Sequence, residues 1–227
     1  MKVYNLLSLF FIVITLFLFS SCASRDNYES LFYSVFEINA GDSKDEIVSI
    51  GTGFKIDENY IVTNSHVISY RDIDSVIEYN YIEGKLYGSE EIIIFDIVFN
   101  CYEDDYVFLQ PQKSYIDIFS NVSSLKLSKS GDFNIGDECY TIGNANNYGL
   151  ALNYGIISSN IKKLTYKGNL NTFIQTSIEI SKGSSGGPLF NKKQEVIGIC
   201  TFKLRDNSFE NVDGISFAIP ISRINLI

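Results

Sequence analysis

The chain has no tryptophan, one methionine, one histidine, three prolines and four cysteines in 227 residues. Each scarcity excludes something. With His66 as the single imidazole, no histidine-rich metal cluster can form. No cysteine stands at metal-ligand spacing from another cysteine or from His66, so neither a metal site nor a cofactor is expected. The few, scattered cysteines do not make the disulfide framework that staples small secreted domains. Basic residues are also short: 18 Lys and Arg face 27 Asp and Glu, a net charge of -9. An acidic surface repels phosphate, so nucleic acid is not an expected partner, and the excess charge serves solubility. Long apolar runs are absent except for one, Leu6 to Phe19, which is too short for a comfortable membrane span.

That run follows Lys2 and precedes Ser20-Ser21-Cys22-Ala23-Ser24, the layout of a secretory signal. The cysteine after two small residues resembles a bacterial lipobox, although Phe19 stands three residues before Cys22 where that motif usually has Leu. Residues 1–21 are therefore expected to be a lipoprotein-type signal peptide and Cys22 the lipidated N-terminus. The protein would then sit outside the cytoplasm, held to a membrane of a bacterial cell envelope by its lipid. Ordinary secretion and an uncleaved anchor are the alternatives. A lipidated Cys22 leaves Cys101, Cys139 and Cys200, an odd number, so at least one thiol is free. Cys139 and Cys200 lie in apolar strand-like runs, where cysteine acts as a small buried hydrophobe.

What is abundant points to strands. Apolar residues make up 45% and aromatics 14% of the chain, with Ile, Phe, Tyr and Val recurring throughout. Residues 22–45 read as a tether and an aromatic segment, Tyr28 to Phe36, which packs either on its own barrel or between copies of the chain. Short β-segments with turn signals then fall into two sets, 46–110 and 135–227. A more polar connector, 111–134, separates them. Two sets of about six strands predict an all-β fold of two packed six-stranded antiparallel β-barrels.

Gly183-Ser184-Ser185-Gly186-Gly187-Pro188-Leu189 is the sharpest local signal. A nucleophilic serine needs an exposed hydroxyl on a tight turn with amides nearby, and flanking glycines permit both. Serine also needs a base, and His66, in Thr63-Asn64-Ser65-His66-Val67, is the one imidazole the chain offers. A buried carboxylate should orient that imidazole. Asp104 and Asp105, at the mouth of the apolar run Tyr106-Val107-Phe108-Leu109, are the candidates.

The order His, Asp, Ser, split between a front and a rear strand set, resembles the chymotrypsin-like proteases. In detail it is similar to the HtrA (Deg) branch. Gly51-Thr52-Gly53-Phe54 and Ile61 to Ile68 resemble that family's histidine region, and Asp105 to Leu109 its aspartate strand, which selects Asp105. Ile142-Gly143-Asn144, Gly155 to Ser158, Phe173 to Thr176, Gly183 to Leu189, Val196 to Ile199 and Phe217 to Pro220 continue the match over residues 46–221. The resemblance implies a cleft between barrels, an acyl-enzyme mechanism with Ser185, His66 and Asp105, and an oxyanion hole from the amides of Gly183, Ser184 and Ser185. Polypeptides, unfolded or exported, would be the substrates. The family's PDZ domains are not expected here. Its trimers make a homotrimer a candidate assembly through the Tyr28–Phe36 segment. Ser184 stands where the family usually has Asn, Ser177 where it has Asp, and Ala145 where it has Pro.

Glu179, Ile180 and Thr201 form the candidate specificity pocket. Glu179 lies six residues before Ser185, a spacing that in trypsin-like enzymes places an acid at the pocket floor; an exposed loop acid is the other reading. The resemblance favours a small aliphatic P1 residue. A protease-fold chaperone or binding lipoprotein with vestigial catalysis is the rival function, and the intact set of His66, Asp105 and Ser185 argues against it.

Overall fold

The computed structural model describes residues 27–129, 133–205 and 211–225. The expected signal peptide and Cys22 lie outside the described residues. Among the described residues no helix is long and apolar enough to cross a membrane.

Two closed barrels make the fold. After a short helix, α1 (Glu29–Phe32), the first barrel is built from β1 (Val35–Gly41), β2 (Ile47–Lys55), β3 (Ile61–Thr63), β6 (Tyr81–Leu86), β7 (Ile92–Cys101) and β8 (Tyr106–Pro111). They close in the order β1-β2-β3-β8-β7-β6. The second barrel takes β9 (Glu138–Gly143), β10 (Ala151–Tyr166), β11 (Asn169–Thr176), β12 (Pro188–Asn191), β13 (Val196–Arg205) and β14 (Asn211–Pro220), in the order β10-β11-β14-β13-β12-β9. Closure removes the free edges that an open sheet would expose.

Side-chain alternation sorts the core into three parts. Along β1, Phe36, Ile38 and Ala40 point into the first barrel, where they meet Ile61, Val107 and Leu109. Val35 points the other way and joins Phe54, Val62 and Phe108 in a layer shared with Ile142, Phe173, Phe190 and Ile219 of the second barrel. Cys139, Ile157, Ile174, Leu189 and Ile197 fill the second barrel. Each Val, Leu, Ile or Phe side chain among them contributes about 1.5–3 kcal/mol by leaving water. The shared middle layer fixes the barrels against each other and therefore fixes any site built from both.

The strand sets differ from the sequence expectation in three places. The first barrel begins at Val35, not at 46: β1 pairs with both β2 and β6, so part of the expected tether is a barrel strand. The alternation Phe36, Ile38, Ala40 against Glu37 and Asn39 carries the signal. Residues 69–78, inside the first strand set, do not join the barrel. Instead β4 (Ser69–Asp72) and β5 (Ser75–Glu78) form an exposed ribbon beside the barrel. Finally, β10 and β11 run far past the barrel rim as one long hairpin.

The connector carries α3 (Ile116–Ser120) and is pinned to both barrels. Lys55, buried in the first barrel, donates from Nζ to the carbonyls of Phe119 and Val122, each at 2.8 Å. Farther on, Ser128 N and Val196 N bond across to Val196 O and Lys126 O, tying the connector to β13.

Candidate active site

Three chain segments meet where the barrels face each other. His66 lies on a one-turn helix, α2 (Ser65–Ile68), directly after β3. Asp105 ends the turn before β8, and Ser185 lies in the turn before β12. His66 and Ser185 both line a cleft of about 530 Å³.

Asp105 is fully buried and has φ of +59°, a left-handed conformation that aspartate tolerates better than most residues. Its carboxylate is met from two sides. His66 donates its backbone N–H to Oδ1 at 3.0 Å, and the imidazole Nδ1 lies 2.8 Å from Oδ2. From the β10–β11 hairpin, Lys167 Nζ donates to Oδ1 at 2.7 Å and the Tyr166 hydroxyl to Oδ2 at 3.0 Å. Burial pushes the Asp105 carboxyl up, but the charges and hydrogen bonds of His66 and Lys167 outweigh it, and the net shift is downward. The carboxylate therefore stays ionised. Burial, with Asp105 beside it, pushes the Tyr166 phenol up, so it remains a donor. The geometry also separates the two acids: Asp105 reaches His66, whereas Asp104 pairs with Arg223.

The serine turn is held from outside by the first barrel. Thr52 N–H donates to Ser185 O at 2.8 Å and the Thr52 hydroxyl to Gly183 O at 2.7 Å. The same hydroxyl accepts from Asn144 N at 3.0 Å. Close packing forces glycine here. Gly186 has φ of +88°, and a Cβ on it would stand 2.0 Å from Thr52 O. Gly183 has φ of +94°, and its Cβ would stand 2.1 Å from Asn144 O.

Lys182 O accepts from Asn146 N at 2.6 Å. In a planar trans peptide the N–H points opposite to the carbonyl, so the Gly183 N–H is turned away from residues 144–147. Among the described residues neither Gly183 N nor Ser185 N has an acceptor. Ser184 N does: it donates to Ser181 O at 2.9 Å. Of the three amides expected in an oxyanion hole, two are therefore available. The Ser185 hydroxyl donates to Thr201 O at 3.0 Å, and no hydrogen bond joins it to His66 among the described residues.

Ile180 and Thr201 line the cleft, together with Phe202 and Leu204. Glu179 does not. It sits half-exposed, its carboxylate taken by Lys203 and by Gly214 N–H. Asp213 also approaches Lys203, at 3.5 Å. The other candidate nucleophiles are quiet: burial pushes the Cys139 thiol up to about 12 and the Cys200 thiol up to about 11.

Sequence reasoning gave no role to Tyr166, Lys167 or Thr52. Thr52 was visible as part of a motif. Lys167-Gly168 is a two-residue turn with both φ values positive, the hairpin type usually marked by Asn-Gly or Asp-Gly, and Lys-Gly does not advertise it.

A family model described as a trypsin-like peptidase domain matches residues 51–199. The chain is 31% identical over 189 residues to a probable periplasmic serine endoprotease DegP-like of Ectopseudomonas mendocina, covering 81% of this chain and 35% of that protein. It is 30% identical over 197 residues to serine endoprotease DegS of Haemophilus influenzae, covering 85% and 53%. Periplasmic serine endoprotease DegP of Escherichia coli strain K12 is 30% identical over 188 residues, with 82% and 36% covered. The chain thus spans about a third to a half of the length of these relatives. A solved structure, the HtrA-type protease AlgW with tripeptide, superposes with a TM-score of 0.70 at 27% identity, over 86% of this chain and 58% of that one.

Proposed function

The chain belongs to the trypsin-like peptidase family, in its HtrA-like branch, and on that premise we propose that it is a serine endopeptidase acting through Ser185, His66 and Asp105. The observation that carries the reading is the 2.8 Å contact between His66 Nδ1 and the buried Asp105, beside a cleft that His66 shares with Ser185. That contact leaves Nε2 as the basic nitrogen and steadies the ring when it becomes charged.

Catalysis begins when a substrate carbonyl enters the cleft and the Ser185 hydroxyl leaves Thr201 O for His66 Nε2. His66 takes the proton as Ser185 Oγ attacks. The oxyanion is received by the amides of Gly183 and Ser185, which are held in place from behind by Thr52 and Asn146. His66 then protonates the leaving amine, and water, activated by the same imidazole, releases the acyl group. A small aliphatic P1 side chain on an unfolded or exported polypeptide, which the HtrA-like resemblance implies, is compatible with the apolar cleft residues Ile180 and Leu204.

Relatives named as periplasmic endoproteases support a site of action in the cell envelope, outside the cytoplasm. Lipid on Cys22 would hold the protein at a membrane; metabolic palmitate labelling that persists in Cys22→Ala would remove that part. Homotrimer contacts through the Tyr28–Phe36 segment would fall on its exposed part, where Tyr33 is 52% exposed, because Val35 and Phe36 are buried within this chain. A monomeric mass in solution would remove them.

The deciding experiment for the activity is labelling with a fluorophosphonate followed by peptide mapping. The label is expected on Ser185 and absent in His66→Ala. Attachment elsewhere, or full labelling of His66→Ala, would overturn the assignment.

A further inference from the structure

Each oxygen of the Asp105 carboxylate takes one donor from His66 and one from the hairpin tip. Oδ1 accepts from His66 N and Lys167 Nζ, and Oδ2 faces His66 Nδ1 and the Tyr166 hydroxyl. The two hairpin donors are built in, not incidental. Tyr166 and Asn169 close a two-residue turn, Lys167-Gly168, at the tip of the hairpin. Tyr166 stacks on Phe202 at 4.7 Å and packs edge-on against Phe173. Lys167 Nζ also donates to Tyr102 O at 3.1 Å and lies 3.7 Å above the Tyr102 ring. Its side chain is 12% exposed, so the ammonium is enclosed by a carboxylate, a carbonyl and a ring.

Resting on the triad reading above, we infer that Lys167 is a positioning residue for the proteolytic reaction, which sets the charge balance of the Asp105–His66 pair. A buried ion pair attracts strongly because little water screens it. With the imidazole neutral, Lys167 balances Asp105 and the cluster carries no net charge. Proton transfer from Ser185 adds a positive charge beside an ammonium, so Lys167 opposes charging of the ring in the free enzyme. The reaction therefore extends to lower pH than it would with an uncompensated carboxylate. Tyr166 holds the carboxylate plane without adding charge.

The other groups facing this cluster do not duplicate that effect. On the turn of Asp105 itself, Asp104 is matched by Arg223 from the C-terminal end. Asn64 Nδ2 bonds the Asp105 backbone carbonyl at 2.8 Å and is neutral. In the cleft, Lys203 is engaged by Glu179, and Lys182, which also lines it, makes no hydrogen bond or ion pair to Asp105 or His66 among the described residues.

The test is the pH dependence of second-order inactivation by a fluorophosphonate, which needs no known substrate. In Lys167→Met the acidic limb is expected to move to higher pH by about one unit. In Lys167→Arg, which keeps the charge, the limb stays within about 0.3 unit of wild type while the plateau falls. Tyr166→Phe lowers the plateau without moving the limb. Should Lys167→Met fail to fold by circular dichroism, Lys167→Gln removes the charge but keeps a donor, and the same upward move is required of it. A limb that coincides with wild type in the neutral variants, or that moves as far in Lys167→Arg, overturns the inference. Failure of the triad reading looks different: Ser185→Ala would still react, or His66→Ala would keep the wild-type acidic limb.

Discussion

The Thr52 hydroxyl, on the first barrel, donates a 2.7 Å hydrogen bond to the Gly183 carbonyl on the second, and accepts one from Asn144 N at 3.0 Å. One side chain thus joins the barrels at the back of the serine turn. Thr52 is fully buried, so neither bond is replaceable by water.

Thr52→Val keeps shape and removes both bonds. Leaving a buried acceptor and donor unsatisfied costs about 1–3 kcal/mol, and part of that falls on the turn that aims Gly183 N–H. Hydrolysis of a casein substrate should drop about tenfold in kcat/KM, chiefly through kcat, and Thr52→Ser should restore most of it. Equal losses in Thr52→Val and Thr52→Ser would show that the methyl group, not the hydroxyl, is what matters.

Asp105 makes stability depend on pH with a definite sign. Burial raises its carboxyl and the partners lower it further than burial raises it, so the folded value lies below the 3.8 of a free aspartate. Such a group stabilises the fold above about pH 4, and the contribution is lost as pH falls through the folded value. Asp105→Asn forfeits it and leaves Lys167 without its counter-ion, a loss of about 3–5 kcal/mol for a buried pair. Thermal unfolding should therefore separate wild type from Asp105→Asn by about 10 °C near pH 7, with the gap closing below pH 4. Glu37, which burial shifts upward and hence in the opposite sense, is present in both proteins and drops out of the difference. A gap that is constant from pH 7 to pH 3 would contradict the assignment.

Glu179 offers a test of the cleft. Its charge is already met by Lys203 and Gly214 N–H, and it does not line the cavity. Glu179→Gln should leave the ratio of cleavage after Lys or Arg to cleavage after small aliphatic residues within about twofold, since the half-exposed Glu179 carboxylate lies outside the cleft lining. Profiling the cleavage sites of an unfolded protein decides it. A collapse of cleavage after basic residues would make Glu179 the pocket floor.

Much of this was legible in the chain before any coordinates. Alternation of large apolar residues implied strands because side chains on a strand change face at every residue. The order of the His66, Asp105 and Ser185 segments resembled a family whose site lies in one cleft, and the glycines at 183 and 186 matched positions where a Cβ would meet Asn144 O or Thr52 O within about 2 Å. The start of β1 was missed because the overlapping aromatic run masked the short alternation Phe36 to Ala40 within a seven-residue strand. The β10–β11 hairpin was missed because residues 159–171 are mostly polar and turn at Lys-Gly.

By itself, then, the sequence determined the two barrels and singled out His66, Asp105 and Ser185 as candidates, because each rests on local pattern: period, turn and motif. Only the tertiary structure decided what surrounds Asp105. Lys167 lies 62 residues from it along the chain and Tyr166 61, and a lysine in a polar hairpin reads as a solvated charge. Folding brings that charge onto a buried carboxylate, where the low dielectric turns an unremarkable surface residue into a partner of the pair that His66 depends on.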